Sequence, residues 1–251
     1  MKYRLFLPPE QISDDIAHIL DADHQHLARV LRARAGEPLM LLDNAGNAFR
    51  AVLVSIGKTE TIARIESRLE LPEEPPVSVT VAQALGKGDK FEQVLQHGTE
   101  AGASVFVPVR AERCVVEIPA AKVADRVARW RQIAKGAAEQ SGRGRIPEVW
   151  GPLDFVELCK RAQEEAVPGA LLHPSEEAIP LRTFLQGLEA MPSRLLLAIG
   201  PEGGWSPAEV SAGRAANLTP VTLGPRILRT ETAALVAISQ ILYHFEGEGC
   251  A

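Results

Sequence analysis

Residues 199–210, IGPEGGWSPAEV, follow the apolar run RLLLA and contain three glycines and two prolines. Ser206, Pro207 and Glu209 form a helix start, since they are typical of the N-cap, the first helical position and a capping box. That role does not need residues 200–204, whose glycines allow backbone groups to approach a ligand at a strand end. The stretch predicts either an ordinary strand-to-helix turn or a ligand-binding loop that ends at a helix.

A second loop repeats the arrangement. Residues 223–235, LGPRILRTETAAL, leave a strand end through Gly224 and a short basic segment, and Thr230 is placed as an N-cap. A third predicted strand ends in LLHP at 171–174. Because parallel strands present their carboxyl ends at one edge of a sheet, we expect the three strand ends to face one cleft.

The second part of the chain alternates between strand and helix patterns. Apolar runs predict strands at 77–85, 104–109, 169–174, 194–200 and 219–224. Helical periodicity predicts helices at 90–102, 121–141 and 230–245. This alternation favours an α/β domain with a mostly parallel sheet.

The first part of the chain is different. Residues 3–70 contain strand-like segments separated by turns, with a short helix expected around 26–34 and ended by Gly36. The segment LELPEEPP at 69–76 is rich in proline and acid and is the best linker candidate. We therefore predict a β-rich domain at 1–70, a linker at 71–76 and an α/β domain at 77–251.

The composition of the chain argues against a membrane protein and against a secreted, disulfide-bonded protein. The chain has 251 residues, 46% of them hydrophobic, and no apolar run approaches the roughly 20 residues that span a bilayer. The start, MKYRLFLPPEQ, meets proline and acid too early for a signal peptide, and Cys114, Cys159 and Cys250 are scattered without a CxxC motif. A reduced, cytoplasmic location without disulfides or a membrane partner is expected.

Charge is unevenly distributed. The net charge is −5, yet residues 85–145 carry 11 Lys and Arg against 7 Asp and Glu. This local excess permits phosphate contacts and equally fits a solvated helical face. Common catalytic and metal signatures are missing: GKGDKF at 86–91 lacks the third glycine of a dinucleotide loop, and no GxSxG motif occurs. His24 and His26 lack companion ligands and are expected on a surface helix, so no metal is expected.

Nearly the whole chain resembles one known family. The loops at 199–210 and 223–235 look like the C-terminal signature of the RsmE family, SPOUT-class methyltransferases of small-subunit ribosomal RNA. The resemblance extends to ERCVV at 112–116, RWRQIAKGAAEQSGRGRIPEV at 129–149, RLFL near the start and HLARVLRARAGEPLMLLDNAG at 26–46. It implies an N-terminal PUA-like β-barrel, a C-terminal SPOUT-type α/β domain with a trefoil knot, and a homodimer. It also implies S-adenosylmethionine as methyl donor and a uridine of 16S rRNA methylated at N3.

The resemblance also implies roles for individual residues. The donor is expected to bind Leu172, His173, Ile199, Gly200, Pro201, Glu202, Gly203, Leu223, Gly224, Ile227, Leu228, Arg229 and Thr230. Glu202 is the candidate base for the N3 proton, or else a brace that bonds loop amides. Arg229 is the candidate cation for the anionic ring, or else a loop clamp. Arg4, His26, Arg29 and Arg32 are either RNA contacts or ordinary solvated side chains, with Arg29 and Arg32 on one helical face. Arg113, Arg143 and Arg145 are expected to contact the RNA or the target ring.

Two other functions remain open at the level of the sequence. A non-catalytic RNA-binding protein could share the fold, although the intact loops at 200–204 and 227–232 argue against a lost donor site. An α/β enzyme acting on a small nucleotide would not need the basic segment at 85–145 or the β-rich domain at 1–70. In the last predicted helix, Leu235, Ile238, Leu242 and Phe245 form an apolar stripe that fits a dimer face or the subunit's own core.

Overall fold

The protein is described from a computed structural model that covers residues 3–13 and 15–246. Cys250 lies outside these residues. The chain divides into two compact units, Met1–Glu74 with Ala138–Ile146, and Pro75–Ala137 with Pro147–Ala251. The segment 138–146 thus clusters with the first unit, although the sequence division at 71–76 places it in the second domain.

The first unit contains a six-stranded sheet. Its strands are Tyr3–Phe6 (β1), Ile12–Ser13 (β2), Ile16–Ile19 (β3), Pro38–Leu42 (β4), Ala48–Ile56 (β5) and Thr61–Leu69 (β6). They are ordered β1-β4-β5-β6-β3-β2, with β1 and β4 parallel and the other pairs antiparallel. Alternate residues such as Leu39, Leu41 and Leu53 are buried in the core of the unit. The strand-like segments that the sequence shows at 3–7, 38–43, 48–56 and 61–70 match β1, β4, β5 and β6 to within one residue.

Residues 138–146 join this unit through apolar packing and hydrogen bonds. Ala138 packs with Phe6, Leu42 and Ala48 in one buried cluster. The side chain of Glu139 accepts a hydrogen bond from the backbone N–H of Phe6 at 3.0 Å. These contacts connect positions that are distant in the sequence, with 133 positions between Phe6 and Glu139, so they are not visible as a local pattern.

The predicted helix at 26–34 is wrong in its bounds and its type. Helix α1 covers Asp21–Gln25, and a π-helical turn at His26–Val30 follows it. Arg32 has φ +49°, a left-handed conformation that ends the helix before Gly36. Arg29 and Arg32 therefore do not lie at i and i+3 of one helix. Leu27 is fully buried in the π-helical turn, so packing against the sheet fixes this irregular geometry.

The second unit is an α/β structure. Its strands are Ser78–Ala84 (β7), Val105–Arg110 (β8), Glu148–Val149 (β9), Leu153–Asp154 (β10), Gly169–Leu172 (β11), Ile179–Pro180 (β12), Arg194–Ile199 (β13) and Leu218–Thr222 (β14). All pairings in this sheet are parallel, in the order β10-β8-β7-β13-β11-β14-β12, and β9 also pairs with β8. The mostly parallel sheet expected from the sequence is confirmed.

Helices connect these strands. They are Lys90–Glu100 (α2), Ala120–Ser141 (α3), Phe155–Glu164 (α4), Leu181–Gln186 (α5), Pro207–Ala215 (α6) and Thr230–Glu246 (α7). The predicted helices at 90–102, 121–141 and 230–245 correspond to α2, α3 and α7. Strand β13 is buried at five of its six positions, which explains its continuous apolar run.

The order of the sheet decides which loops meet. Strands β7, β13, β11 and β14 are consecutive neighbours and run parallel, with Ile199 opposite both Gln83 and Leu172. Leu172 in turn lies opposite Val221. The loops that leave these four strands therefore start at the same edge of the sheet, where ligands bind in open α/β sheets.

Candidate functional site

A cavity of about 410 Å³ opens at this edge of the sheet. Eleven of the thirteen residues predicted to bind a donor line it, and Gly203 and Gly224 do not, although they belong to the same loops. The three predicted strand ends thus share one cavity. The residues that line the cavity are Lys90, Leu172, His173, Pro174, Ile199, Gly200, Pro201, Glu202, Gly204, Val221, Thr222, Leu223, Arg226, Ile227, Leu228, Arg229, Thr230 and Ala233.

Seven of these residues lie outside the thirteen, although Gly204 and Arg226 belong to the loops predicted at 200–204 and 223–230. Five of them, Pro174, Gly204, Val221, Thr222 and Arg226, are next to predicted residues in the same three strand ends and loops. Ala233 lies in the first turn of α7. Lys90 comes from α2, which follows β7, so a fourth strand end contributes to the cavity. The GKGD sequence before it predicts a turn and gives no sign of this contact.

Packing explains Gly200. A Cβ at this position would lie 3.2 Å from the indole ring of Trp205. The indole N–H donates to the carbonyl of Leu172 at 3.2 Å, and the ring lies 4.3 Å from that of Phe155 between centroids. Gly200 is therefore needed so that the buried indole can pack under the loop and link the ends of β11 and β13.

The rest of the loop turns into a capped helix. Gly204 has φ +68°, and its N–H donates to the carbonyl of Pro201 at 2.8 Å. Ser206 Oγ accepts from the N–H of Glu209 at 3.3 Å, and a Glu209 oxygen accepts from the N–H of Ser206 at 2.8 Å. The predicted capping box is confirmed. Glu202 takes no part in it.

The carboxylate of Glu202 is paired with a cation. Its Oε1 lies 2.5 Å from Nζ of Lys90. The Lys90 ammonium holds the pKa of Glu202 below its ordinary value, and burial opposes this effect. Glu202 is therefore ionised near neutral pH, which leaves it able to accept a proton but makes it a weak base.

The loop at 223–229 carries exposed cations. Arg226 and Arg229 are exposed at the cavity, and neither guanidinium has a side-chain partner among the described residues. Ile227 between them is 94% exposed, which is unusual for a large apolar side chain. The carbonyl of Arg229 accepts from the N–H of Ala233 at 2.8 Å, so the backbone of Arg229 already belongs to the start of α7.

His173 lines the cavity at the end of β11. Its backbone N–H donates to the carbonyl of Val221 at 3.1 Å. Burial lowers the pKa of His173, and the positive charges of Arg214 and Arg113 lower it further. His173 therefore presents a neutral imidazole to the cavity at neutral pH.

Arg113 contacts the glycine-rich loop directly. Its Nη1 donates to the carbonyl of Gly203 at 2.9 Å, and a Cβ at Gly203 would lie 3.3 Å from the Cβ of Arg113. The neighbouring thiol of Cys114 is half-buried, and burial raises its pKa. Arg113, a predicted RNA contact, thus lies next to the cavity and is hydrogen-bonded to Gly203 of the same chain.

The predicted RNA contacts of the first unit fall into two groups. Arg4 donates from Nη1 to the carbonyl of Gln140 at 2.8 Å, and Arg143, 10% exposed, pairs with Glu74. Both are thus held by partners in the unit. The side chains of the other group are exposed, and Arg145 also donates to the carbonyl of Ala45 at 3.3 Å. This second group consists of His26, Arg29, Arg32 and Arg145.

Within residues 3–13 and 15–246, no group of three or more His, Cys, Asp or Glu is placed to hold a metal ion. No helix in this part of the chain is long and apolar enough to cross a membrane. His24, expected on a surface helix, is buried, and its Nδ1 bonds Thr61 Oγ1 at 2.9 Å.

Both units match known domain families. Residues 73–242 match the RNA methyltransferase domain family, and residues 19–66 match the RNA methyltransferase PUA domain family. The α/β unit with its strand-end cavity and the N-terminal sheet thus define an RNA methyltransferase with a PUA domain.

Individual proteins similar to this chain indicate which RNA methyltransferase family it belongs to. The chain is 40% identical to ribosomal RNA small subunit methyltransferase E of Mycobacterium tuberculosis, over 89% of this chain and 85% of that protein. It is 34% identical to the Bacillus subtilis protein of the same name, over 98% and 97%. The crystal structure of the Neisseria gonorrhoeae enzyme of this name, bound to S-adenosyl methionine, superposes with a TM-score of 0.85 at 33% identity, over 97% and 98%. The chain belongs to the ribosomal RNA small subunit methyltransferase E (RsmE) family.

Proposed function

We propose that the protein methylates N3 of a uridine in 16S rRNA of the small ribosomal subunit, with S-adenosylmethionine as the donor. The observation that carries this proposal is the cavity that three strand ends share, two of them followed by glycine-containing loops, in a chain of the RsmE family. The two alternatives, a non-catalytic RNA-binding protein and an enzyme for small nucleotides, are not favoured by these relatives.

The cavity fits such a donor. Its volume lies within the range of cofactor sites, and its walls combine apolar side chains with backbone groups. Leu172, Ile199 and Leu228 offer apolar surface for an adenine ring, and the main chain at 200–204 and 223–230 offers donors and acceptors for its edge.

The residues of the cavity have distinct tasks in the transfer. The bound donor supplies a methyl group that its sulfonium already activates, so the protein must align the acceptor and exclude water. The N3–H proton of uridine must leave as the new N–C bond forms, and the Glu202 carboxylate is the proposed acceptor of that proton. The exposed guanidinium of Arg229 is proposed to stabilise the negative charge that develops on the ring.

RNA recognition is assigned to both units. In the N-terminal domain, at 1–70, His26, Arg29 and Arg32 offer exposed contacts, and Arg145 of the same compact unit adds another. Arg4 and Arg143 are proposed to hold this unit together, because their guanidinium groups already have partners. Phosphate contacts of this kind make binding salt-dependent.

The finer features of the family resemblance belong to the same proposal. They are a closed PUA-like barrel at 1–70, a linker at 71–76, a knotted SPOUT domain at 77–251, a homodimer and action in the cytoplasm. Of the predicted dimer stripe, Ile238, Leu242 and Phe245 are buried in the unit itself. Leu235, 37% exposed, and Tyr243, 82% exposed, are left as the apolar contacts that α7 offers to a second subunit. A monomer in light scattering at micromolar concentration would contradict the dimer.

Methyl transfer to assembled small subunits tests the function. Labelled S-adenosylmethionine should modify one uridine of the 16S rRNA, and mapping of the modified base should place the methyl group at N3. Free nucleosides should remain unmodified. Transfer to free nucleosides would favour the small-nucleotide enzyme, and calorimetry without S-adenosylmethionine binding would favour the non-catalytic RNA-binding protein.

A further inference from the structure

Lys90 lines the cavity but belongs to a helix that contains none of the predicted site residues. It lies in the first turn of α2, after β7, whereas Glu202 lies in the loop after β13. The 2.5 Å ion pair between them is partly shielded from solvent, with side chains 28% and 39% exposed. A short, charge-assisted hydrogen bond of this kind restricts both side chains.

The main chain before α2 is shaped around the Glu202 carboxylate. A Cβ at Gly86 would lie 2.9 Å from Oε1 of Glu202 and 3.3 Å from Cδ of Lys90. The carboxylate also accepts a backbone hydrogen bond from Lys87. Residues 86–90 thus form a recess that holds the carboxylate beside the positive end of a helix.

We propose that Lys90 is a positioning residue for methyl transfer: its ammonium fixes the ionised carboxylate of Glu202 in this recess and so sets the lowest pH at which transfer proceeds. The proposal rests on the proposed function and on the participation of Glu202 in it. It applies whether the carboxylate accepts the N3 proton or anchors the loop, because both tasks require the ionised form.

The sign of the effect follows from the surroundings of Glu202. The hydrogen bond from Lys90 lowers the pKa of Glu202, and burial raises it. Removal of the ammonium leaves the effect of burial, so the pKa rises and the carboxylate becomes protonated at a higher pH. Among the described residues, the other charged or titratable groups of the recess and the cavity are Lys87, Asp89, Arg113, Cys114, His173, Arg226 and Arg229.

Lys90→Met tests the proposal, with Lys90→Arg as the conservative variant. The titration of Glu202 is followed by NMR of carboxyl-labelled glutamate, assigned by its loss in Glu202→Gln. Lys90→Met should raise the midpoint by about one pH unit, which lowers the ionised fraction about tenfold at acidic pH. The acid limb of the single-turnover rate on small subunits should move by the same amount, and Lys90→Arg should restore both.

Two more variants keep the test decisive. Lys160→Met removes the same charge from an exposed position of α4 that does not line the cavity, and it should leave both readouts unchanged. Gly86→Ala keeps both charges but fills the recess, so it should raise the midpoint even if Lys90→Met does not fold. An unchanged midpoint, or a midpoint that moves without the acid limb, would overturn the proposal. Failure of the proposed function is distinguishable, since the wild-type protein would then transfer no methyl group to small subunits.

Discussion

Glu209 in helix α6 accepts a hydrogen bond from the backbone N–H of Glu112, 97 positions away, with 2.8 Å between Oε1 and the amide nitrogen. Its other oxygen accepts from the N–H of Ser206 within the capping box. One buried carboxylate therefore ties the start of α6 to the loop from which Arg113 reaches the carbonyl of Gly203. Two loops of the site are fixed relative to each other through this residue.

Glu209→Gln should destabilise the protein by about 1–3 kcal/mol, because the amide NH₂ would face one of two backbone N–H donors and leave it unpaired. Urea unfolding measures this loss. The matched control is Glu157→Gln, which removes an exposed pair with Arg161 in α4 and should cost about 0.3–0.5 kcal/mol. Equal effects of the two substitutions would contradict the role of Glu209.

Gly200→Ala should destabilise the protein by about 1–3 kcal/mol, as overpacking of a core does. The new Cβ would press on the Trp205 indole, which is buried, packs against Phe155 and is hydrogen-bonded to Leu172. The affinity for S-adenosylmethionine should fall in parallel, measured by calorimetry.

Gly136→Ala is the control for this prediction. No atom would lie within 4 Å of the new Cβ, and Gly136 is exposed in the interior of α3. The substitution should stabilise the protein by about 0.5–1 kcal/mol, because alanine is the better helix former. If both glycine variants shift stability in the same direction, steric pressure on Trp205 is not the reason for Gly200.

Glu202→Gln should lower the turnover on small subunits about 100-fold, the scale of a lost proton acceptor, and leave the affinity for S-adenosylmethionine nearly unchanged. Single-turnover rates and calorimetry on the same preparation separate the two effects. Loss of donor affinity together with normal turnover per bound complex would show that Glu202 is a brace.

Substitution of Arg143 should lower the stability of the protein, and substitution of Arg145 should weaken its binding to RNA. Arg143→Gln breaks a largely buried pair with Glu74 and should cost about 2 kcal/mol of stability. Arg145→Gln should leave stability unchanged, weaken binding to small-subunit rRNA and reduce the salt slope by about one. Urea unfolding and binding titrations across salt concentrations measure both. A reversed pattern would assign Arg143 to the RNA interface.

Much of the fold was predictable because local patterns are strong. Strand β13 was expected at 194–200 and occupies Arg194–Ile199, since a strand buried on both faces has a continuous apolar run. Helix α4, Phe155–Glu164, was missed, as were the two-residue strands β9, β10 and β12, which are too short for a periodic signal. The π-helical turn at His26–Val30 depends on the burial of Leu27, which no local pattern predicts.

The ligand-binding site was predictable from the sequence where a loop contains more glycines than its turn needs. Three glycines at 200–204 and the loop at 223–230 indicated the cavity, although Gly200 proved to be explained by Trp205. Lys90 could not be predicted, because its contact with Glu202 depends on the pairing of β7 with β13. That pairing places Ser78 opposite Arg194, and sheet order is not visible in a single sequence.

His173 should make the stability of the protein depend on pH. Its ordinary pKa of 6.5 is lowered in the fold, first by burial and then by Arg214 and Arg113. As the pH falls through 6.5, His173 becomes protonated in the unfolded chain but stays neutral in the folded protein. The free energy of unfolding therefore decreases until the pH reaches the lowered pKa of folded His173. His173→Gln should remove this part of the decrease.

Arg214→Gln provides the matched variant. It keeps the imidazole but removes one of the positive charges that lower its pKa, so the fall in stability below pH 6.5 should be intermediate between wild type and His173→Gln. Arg214 also pairs with the exposed Glu177, whose loss lowers stability by a constant amount in this pH range. Urea unfolding at a series of pH values measures the three slopes. Identical slopes would show that His173 titrates in the folded protein as it does in the unfolded chain.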